Sequence, residues 1–305
     1  MEAESEHTPS QTDEIRSALI SWYSNEHRTY PWRETTDPYS ILVCEVMSQQ
    51  TQLDRVVTPY SNFLNKWPTV ADLAEADRAE VVRFWSQHSL GYNNRAKYLH
   101  KAANQIISDF DGSFPQQPKL LEELMGVGPY TANAVASFAF NKGNAVVDTN
   151  VKRVLYRAFD VPDEEEAFEL AANALLPPSQ SRVWNNAIME LGALACQKTP
   201  NCDDANCPWR YCCTAYQTGD FGAPDIPTQD QFEGSRRQYR GRIIRVLGEK
   251  HTISRKKLGH QIRVDYDDKD SEARAWLESL IDDLAADGLV TKEQMDDELN
   301  IRLKT

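Results

Sequence analysis

Cysteines crowded into one short segment are the residues best suited to chemistry in this chain. Five of the six cysteines fall within 18 residues, at positions Cys196, Cys202, Cys207, Cys212 and Cys213. Four thiolates at such spacing can hold a zinc ion or an iron–sulfur cluster, and residue types alone leave both open. The polar N-terminus predicts no secretory signal, so a metal or cluster site is favoured over disulfides. Cys44 stands apart and is expected to pack as a small apolar side chain.

A second segment with chemical potential is LMGVGPYTANAVASFA, residues Leu124–Ala139. Its glycines, Gly126 and Gly128, precede a proline, which predicts a tight hairpin between two helices. Backbone N–H groups at such a hairpin can bind a phosphate without any basic side chain. An ordinary helix–helix turn without a ligand fits the glycine spacing equally well.

Helices must position these residues. From about residue 12 to 194 the apolar residues recur at helical spacing, which predicts an all-α core. The predicted helices are Ile15–Glu26, Tyr39–Thr51, Leu53–Trp67, Arg78–Gln87, Arg95–Phe110, Tyr130–Phe140, Asn150–Ala158 and Ser181–Ala195.

The C-terminal part has a different pattern. Gly, Pro and polar residues at 218–230 predict a linker. Residues 231–305 suggest helices Phe232–Leu247, Ser254–Ile262 and Ser271–Ala286, followed by β-like runs Gly288–Thr291 and Leu299–Leu303. Three helices and a hairpin form the order of a small C-terminal winged-helix-like α+β domain. The full division is a disordered lead-in (1–11), helical core (12–195), cysteine loop (196–217), linker (218–230) and winged-helix-like domain (231–305).

Tyr130 lies two positions after the second hairpin glycine, and Asp148 lies about 20 residues beyond that glycine. This pattern resembles that of the helix–hairpin–helix DNA glycosylase superfamily. Three segments are similar to MutY-type adenine glycosylases: PWRETTDPYSILVCEVMSQQTQ (Pro31–Gln52), LGYNNRAKYLHKAA (Leu90–Ala103) and VVDTNVKRVLYR (Val146–Arg157). The resemblance covers roughly residues 12–217. It implies a two-lobed helix–hairpin–helix DNA glycosylase fold with a [4Fe–4S] cluster loop.

The resemblance also implies a monofunctional DNA glycosylase that excises adenine mispaired with 8-oxoguanine or guanine in base excision repair. Such excision needs a proton on the leaving base and stabilisation of an oxocarbenium ion. By resemblance Glu45 is the acid, and its apolar neighbours predict a raised pKa. Asp148 then stays ionised and stabilises the sugar cation or bonds to it transiently, while Asn150 orients the site and Tyr130 assists. Bifunctional relatives of the endonuclease III type carry Lys at the Tyr130 position, so no strong lyase activity is expected.

Double-stranded DNA containing a mispair is the partner that the resemblance implies. Gln49, Gln50 and Tyr92 would contact DNA beside the extruded base, with backbone contacts at Gly126 and Gly128. The family usually has a second aromatic after Tyr92, where this chain has Asn93.

For the cysteines, the resemblance favours the [4Fe–4S] cluster, whose ligands would be Cys196, Cys202, Cys207 and Cys213, with Cys212 as the spare. The gaps of five, four and five residues depart from the family's six, two and five at the first two positions.

Charge gives a mixed indication. With 33 Lys+Arg and 46 Asp+Glu the net charge is −13, which opposes nucleic-acid binding unless cations cluster locally. A protein adapted to high salt would show the same excess. Ten Lys+Arg lie between Arg236 and Arg263. Among them, Arg255, Lys256 and Lys257 are expected to contact DNA. The alternative is a protein-binding or merely stabilising role for this tail.

The tail is too short for the Nudix-like domain that MutY-type enzymes commonly carry for 8-oxoguanine recognition.

The expected protein is a cytoplasmic, nucleoid-associated monomer without a membrane segment. Two other functions remain open. One is a mismatch thymine or uracil DNA glycosylase, since related enzymes share the hairpin, Tyr and Asp. The other is a non-catalytic DNA-binding protein, although such a protein does not require Glu45, Asp148 and Asn150 together.

Overall fold

A computed structural model of the chain describes residues 10–225, 231–295 and 298–304. These residues belong to two compact units that interleave along the chain. The first combines residues up to 42 with 116–122 and 128–228, and the second combines 43–115, 123–127 and the residues from 229 onward. Residues 1–9 of the predicted lead-in and 226–230 of the predicted linker lie outside the described residues.

The first unit is helical. Its helices are α1 (Gln11–Glu26), the start of α2 (Pro38–Ser48), α7 (Pro118–Leu121), α8 (Pro129–Phe140), α9 (Thr149–Phe159), α10 (Glu165–Leu175), α11 (Ser181–Leu194) and α12 (Thr214–Thr218). Helix α1 begins at Gln11 because Ser10 accepts from the Asp13 N–H and Asp13 bonds back to it, which forms a capping box. Its apolar face, with Leu19 fully buried, packs against α11.

Two tryptophans tie the cysteine segment to α1. Trp209 Nε1 donates to the Ile15 carbonyl at 3.0 Å, and Trp22 Nε1 donates to the Ala205 carbonyl at 2.9 Å. Trp209 is 1% exposed and packs against the fully buried Trp184. The segment from 196 to 213, which has little regular structure, is therefore held by large buried side chains.

A buried carboxylate fixes the extended segment after α1. Glu190 of α11 accepts hydrogen bonds from Arg28 at 2.8 Å and from Arg33 at 2.6 Å. Burial alone would raise the pKa of Glu190, but these bonds outweigh burial and hold that pKa at about 2. The carboxylate is therefore ionised and paired at neutral pH.

The second unit begins within α2 and continues with α3 (Val57–Lys66), α4 (Val70–Glu75), α5 (Arg78–Gln87) and α6 (Asn94–Asp109). The helix predicted over Leu53–Trp67 is instead a 3₁₀ turn, Leu53–Arg55, followed by α3. Pro59 is the physical reason, because it fits the first turn of α3 but would break the interior of a longer helix.

The C-terminal elements of this unit are α13 (Arg236–Lys250), β1 (Thr252–Ser254), α14 (Arg255–Ile262), α15 (Ser271–Ala286), β2 (Val290–Met295) and β3 (Glu298–Leu303). The antiparallel sheet has the order β1-β3-β2, with Ile301 of β3 opposite both Ile253 and Lys292. This element order is that of a winged helix. Its core is formed by buried aliphatic residues of all three helices and of β3: Ile243, Leu247, Leu258, Leu277, Leu280, Ile281 and Ile301.

Basic residues of α13 and α14 pair with acidic residues in and next to α15. Arg236 of α13 contacts Asp283 of α15 at 2.6 Å, and Arg240 pairs with Asp287. Arg255 pairs with Glu278 and, at 3.2 Å, with Asp268. Much of the positive charge counted between Arg236 and Arg263 is thus compensated inside the domain.

Candidate active site

Asp148 is held at the N-terminus of α9. Its Oδ1 accepts the Val151 N–H at 2.7 Å, and its Oδ2 accepts from Asn150 Nδ2 at 3.0 Å. Burial raises the pKa of Asp148 and outweighs these two hydrogen bonds, which lower it. The carboxylate is fixed in position and poorly solvated, as a group that acts on a developing cation should be.

Asn150 connects Asp148 to the cysteine segment. Its Oδ1 accepts from Arg153 Nη2 at 2.8 Å, and Arg153 Nε donates to the Cys196 carbonyl at 2.6 Å. A Cβ on Gly192 would lie 2.8 Å from the Asn150 Cβ. Only glycine at 192 leaves room for Asn150 in this position.

Tyr130 lies in the first turn of α8, two positions after Gly128. It is half-buried and belongs to the same unit as Asp148 and Asn150. The tyrosine, aspartate and asparagine predicted from sequence are thus all placed by helix N-termini of one unit.

Glu45 belongs to the second unit and lies inside α2. It is 8% exposed, and its neighbours Val43, Cys44, Val46 and Met47 are all buried. The predicted burial of Cys44 is confirmed. A glutamate in such apolar surroundings is uncommon without a functional or pairing reason.

Two loops of the second unit contain the predicted DNA-contacting residues, Gln49 and Gln50 in one and Tyr92 in the other. Arg95 contacts both loops. The Arg95 guanidinium donates to the Gln49 carbonyl and lies 4.5 Å from the centroid of the Tyr92 ring. Burial lowers the pKa of Arg95 to about 10, partly offset by Tyr92. Gln50 and Tyr92 have φ of 54° and 44°, the left-handed region that side chains with a Cβ rarely adopt. Such strain concentrates at functional sites.

The hairpin glycines have different roles. Gly126 has φ 81°, and a Cβ there would lie 2.6 Å from the Tyr98 Cβ, so a tight turn and a close approach both demand glycine. Gly128 is the extended N-cap of α8, whose first turn has no side-chain cap. A helix N-terminus of this kind is where an anion such as a phosphate can bind.

Four thiols of the cysteine segment influence one another. The pKa of Cys207 is raised to about 12, first by burial and then by the neighbouring sulfurs of Cys202, Cys196 and Cys213. Cys212 is influenced by Cys213 alone among the other cysteines. The assignment of Cys196, Cys202, Cys207 and Cys213 as ligands, with Cys212 as the spare, stays a prediction.

In the part of the chain that the structure describes, no group of three or more His, Cys, Asp or Glu could hold a metal ion. Arg157, which is 3% exposed, lies 3.6 Å from the Cys196 sulfur and donates to the Gln197 and Gly222 carbonyls.

Three positioning arginines, Arg95, Arg153 and Arg157, were not singled out from the sequence. Arg153 and Arg157 are four residues apart on α9 and so share one helix face. That spacing beside a cysteine-rich loop is the signal that could have identified them.

The chain is similar in sequence to known DNA repair proteins. The model of the HhH-GPD superfamily, described as base excision DNA repair proteins, matches residues 43–178. An adenine DNA glycosylase of Mycobacterium tuberculosis is 38% identical over 285 residues, covering 90% of this chain and 89% of the relative. One of Mycolicibacterium smegmatis is 38% identical over 241 residues, covering 77% and 80%. The human adenine DNA glycosylase is 36% identical over 219 residues, covering 67% and 39%.

Solved structures agree on the fold. A thermostable thymine-DNA glycosylase is 30% identical with a TM-score of 0.62, covering 68% of this chain and 97% of that one. Endonuclease III, trapped covalently on DNA, is 24% identical with a TM-score of 0.58, covering 69% and 99%. The fold and site therefore define a DNA N-glycosylase of the helix–hairpin–helix superfamily. Within that superfamily, the chain belongs to the adenine DNA glycosylase family. In the described residues, no helix is long and apolar enough to cross a membrane.

Proposed function

We propose that this chain removes adenine mispaired with 8-oxoguanine or guanine from double-stranded DNA. The observation that carries the proposal is the Asp148–Asn150 pair, a desolvated carboxylate held at the N-terminus of α9 in a chain related to adenine DNA glycosylases over most of its length. The product is an abasic site, so the reaction begins base excision repair. The enzyme acts as a monomer at the cytoplasmic nucleoid.

The two carboxylates divide the chemistry. Glu45, buried in α2, protonates the adenine, most directly at N7, and so makes it a better leaving group. Asp148 stabilises the positive charge that develops on the deoxyribose as the base leaves. Asn150 holds Asp148 in position, and Tyr130 assists without an amine that could attack the sugar.

DNA is bound mainly by backbone groups and by two strained loops. A phosphate accepts hydrogen bonds from backbone N–H groups of the hairpin at Gly126 and Gly128, so the net charge of −13 does not oppose this contact. Gln49, Gln50 and Tyr92 occupy the stack beside the extruded adenine. Among the predicted cations of the tail, Lys256 and Lys257 are exposed, whereas Arg255 is paired with two carboxylates.

Cys196, Cys202, Cys207 and Cys213 hold a [4Fe–4S] cluster in this proposal. The final gap of five residues and the Cys207-Pro208 pair, which agree with the cluster loop of the family that this chain resembles, support the cluster over zinc. When bound, the cluster crosslinks the 196–213 segment and can exchange an electron. Through the Cys196 carbonyl, Arg153 joins that segment to Asn150.

A mismatch thymine glycosylase is the second candidate, favoured by the 30% identity to the solved thymine-DNA glycosylase. A single-turnover assay on A:8-oxoG, A:G, T:G and U:G duplexes separates the two. We expect excision of adenine, and excision of thymine or uracil alone would overturn the proposal.

Variants assign the acid. Glu45→Gln should slow adenine release by about 10²–10⁴-fold, the usual contribution of general acid catalysis. Glu169 is an exposed residue of α10, so Glu169→Gln is the matched control and should leave the rate unchanged. Wild-type rates in Glu45→Gln would remove the proposed acid.

A further inference from the structure

The C-terminal domain brings an arginine onto the ring of Tyr92. Arg237, in the first turn of α13, donates from Nη1 to the Tyr92 hydroxyl at 2.9 Å. Its guanidinium carbon also lies 5.5 Å from the Tyr92 ring centroid. Both residues belong to the second unit, so this contact is internal to one compact body.

Two more side chains extend the arrangement. Arg237 lies 5.3 Å from the ring centroid of Phe232, and Arg95 lies 4.5 Å from that of Tyr92. Two cations and two aromatic rings therefore alternate as Arg95, Tyr92, Arg237 and Phe232. Contacts between cations and rings at these distances are attractive and hold the guanidinium planes against the rings.

This stack presents aromatic surface to solvent. Tyr92 is 36% exposed and Phe232 is 55% exposed. Arg236 and Arg240, which flank Arg237 on α13, are directed to the acidic helix α15, whereas Arg237 is directed to Tyr92. An exposed alternation of rings and guanidinium groups is typical of surfaces that stack nucleobases and bind their edges.

We propose that Arg237 and Phe232 recognise the base opposite the excised adenine. This inference rests on the proposed function, in which Tyr92 enters the stack beside the mispair. Phe232 offers a ring on which a purine can stack, and Arg237 offers N–H donors to the carbonyl oxygens of guanine or 8-oxoguanine. The acceptor common to both bases is O6.

Binding to an uncleavable duplex tests the inference apart from catalysis. Adenine is replaced by its 2′-fluoro analogue, and the opposite position carries guanine, 8-oxoguanine or a tetrahydrofuran abasic residue. We expect Arg237→Ala to weaken binding by about tenfold opposite guanine or 8-oxoguanine, and to leave binding opposite tetrahydrofuran unchanged. Arg245→Ala removes the same charge from an exposed position of α13 and is the matched control.

Conservative variants sharpen the result. Arg237→Lys keeps the charge but loses the planar fork, so it should not restore base-dependent binding. Phe232→Leu should weaken binding to both purines. An equal loss on all three duplexes, accompanied by a smaller salt slope, would show a phosphate contact and overturn base recognition, as would equal behaviour of Arg237→Ala and Arg245→Ala.

Failure of the proposed function has a different signature. In that case the wild type would release no adenine from the corresponding natural duplexes, whatever Arg237 contributes to binding. Adenine release by the wild type, with binding by Arg237→Ala unchanged, would overturn only the inference. Thermal unfolding of each variant shows whether the contact with Tyr92 affects folding instead.

Discussion

Asn150 donates its side-chain amide to Asp148 Oδ2 at 3.0 Å, while its own carbonyl oxygen accepts from Arg153 at 2.8 Å. The amide is therefore fixed at both ends, and the orientation that favours ionised Asp148 cannot be lost by a simple flip. This relationship makes the protonation of Asp148 depend on a neighbour that does not titrate.

The pH profile should reveal that dependence. Burial raises the pKa of Asp148 and the Asn150 hydrogen bond opposes the rise. Because the ionised form is needed, activity should fall as pH drops through this raised pKa. In Asn150→Ala the opposing bond is lost, so the acidic limb of the single-turnover profile should move to higher pH. An unmoved limb, or the same movement in the exposed-site control Asn104→Ala, would contradict this.

The cysteine assignment predicts opposite results for adjacent residues. Cys213 is the predicted fourth ligand and Cys212 is the predicted spare. Cys213→Ser should therefore lose most bound iron, and Cys212→Ser should retain it, as measured by iron content after anaerobic purification. Iron loss in Cys212→Ser alone would reverse the assignment. Stoichiometric zinc without iron in the wild type would contradict the cluster itself.

Glu190 should be important for stability. Glu190→Gln leaves Arg33, whose side chain is 8% exposed, without its charged partner, and removing one member of a buried pair costs about 3–5 kcal/mol of unfolding free energy. Urea unfolding at neutral pH measures this loss. Lys66, half-exposed and paired with Glu80, provides a surface control, since Glu80→Gln should cost about 0–1 kcal/mol.

The same pair predicts a pH dependence of stability. The pKa of Glu190 is lowered from 4.5 to about 2 in the folded protein. Its stabilisation is therefore fully present above the unfolded value and is lost as pH falls from about 4.5 toward 2. The difference between wild type and Glu190→Gln should shrink over that interval. A constant difference would show that the ion pair is not its source.

Because residue 130 is a tyrosine, no Schiff-base intermediate is expected. A phenol cannot form a Schiff base with the sugar, so borohydride should not crosslink the wild type to DNA during excision. Tyr130→Lys should gain crosslinking, and Tyr130→Phe should not. Efficient trapping of the wild type would contradict monofunctional chemistry.

Salt titration separates the cations of α14. If Lys256 and Lys257 each contact a phosphate, replacing both by alanine should reduce the slope of log K against log salt by about 1.8. Arg255→Ala should leave the slope nearly unchanged, because Asp268 and Glu278 already compensate its charge. Equal slopes in the wild type and the double variant would remove these lysines from the DNA interface.

Long amphipathic helices could be predicted from the sequence because one buried stripe marks each of them. Helices α5 and α15 have the predicted bounds, Arg78–Gln87 and Ser271–Ala286. Helix α10 was missed because only Phe168 and Ala172 are buried in it. Strand β1 was missed because three residues become a strand only through pairing with β3, far along the chain.

Some residues of the candidate site could be predicted from the sequence, and some contacts could not. Gly126 could be predicted from the local glycine spacing of the hairpin, whereas Asp148 and Tyr130 were identified by the resemblance to the glycosylase superfamily. The contact of Arg237 with Tyr92 joins residues 145 positions apart, so no local pattern predicts it. Ion pairs between α13 and α15, such as Arg236 with Asp283, compensate charges that a count of Lys and Arg includes in full. Only the folded chain shows which cations remain for DNA.

The two tryptophan anchors have a consequence for synthesis. Helix α1 is made first, yet Trp209, which binds the Ile15 carbonyl, lies 194 residues later. At 5–20 residues per second, the apolar face of α1 waits roughly 10–40 s before that partner has been translated. The apolar face of α1 therefore lacks its Trp209 contact through most of the synthesis of the chain.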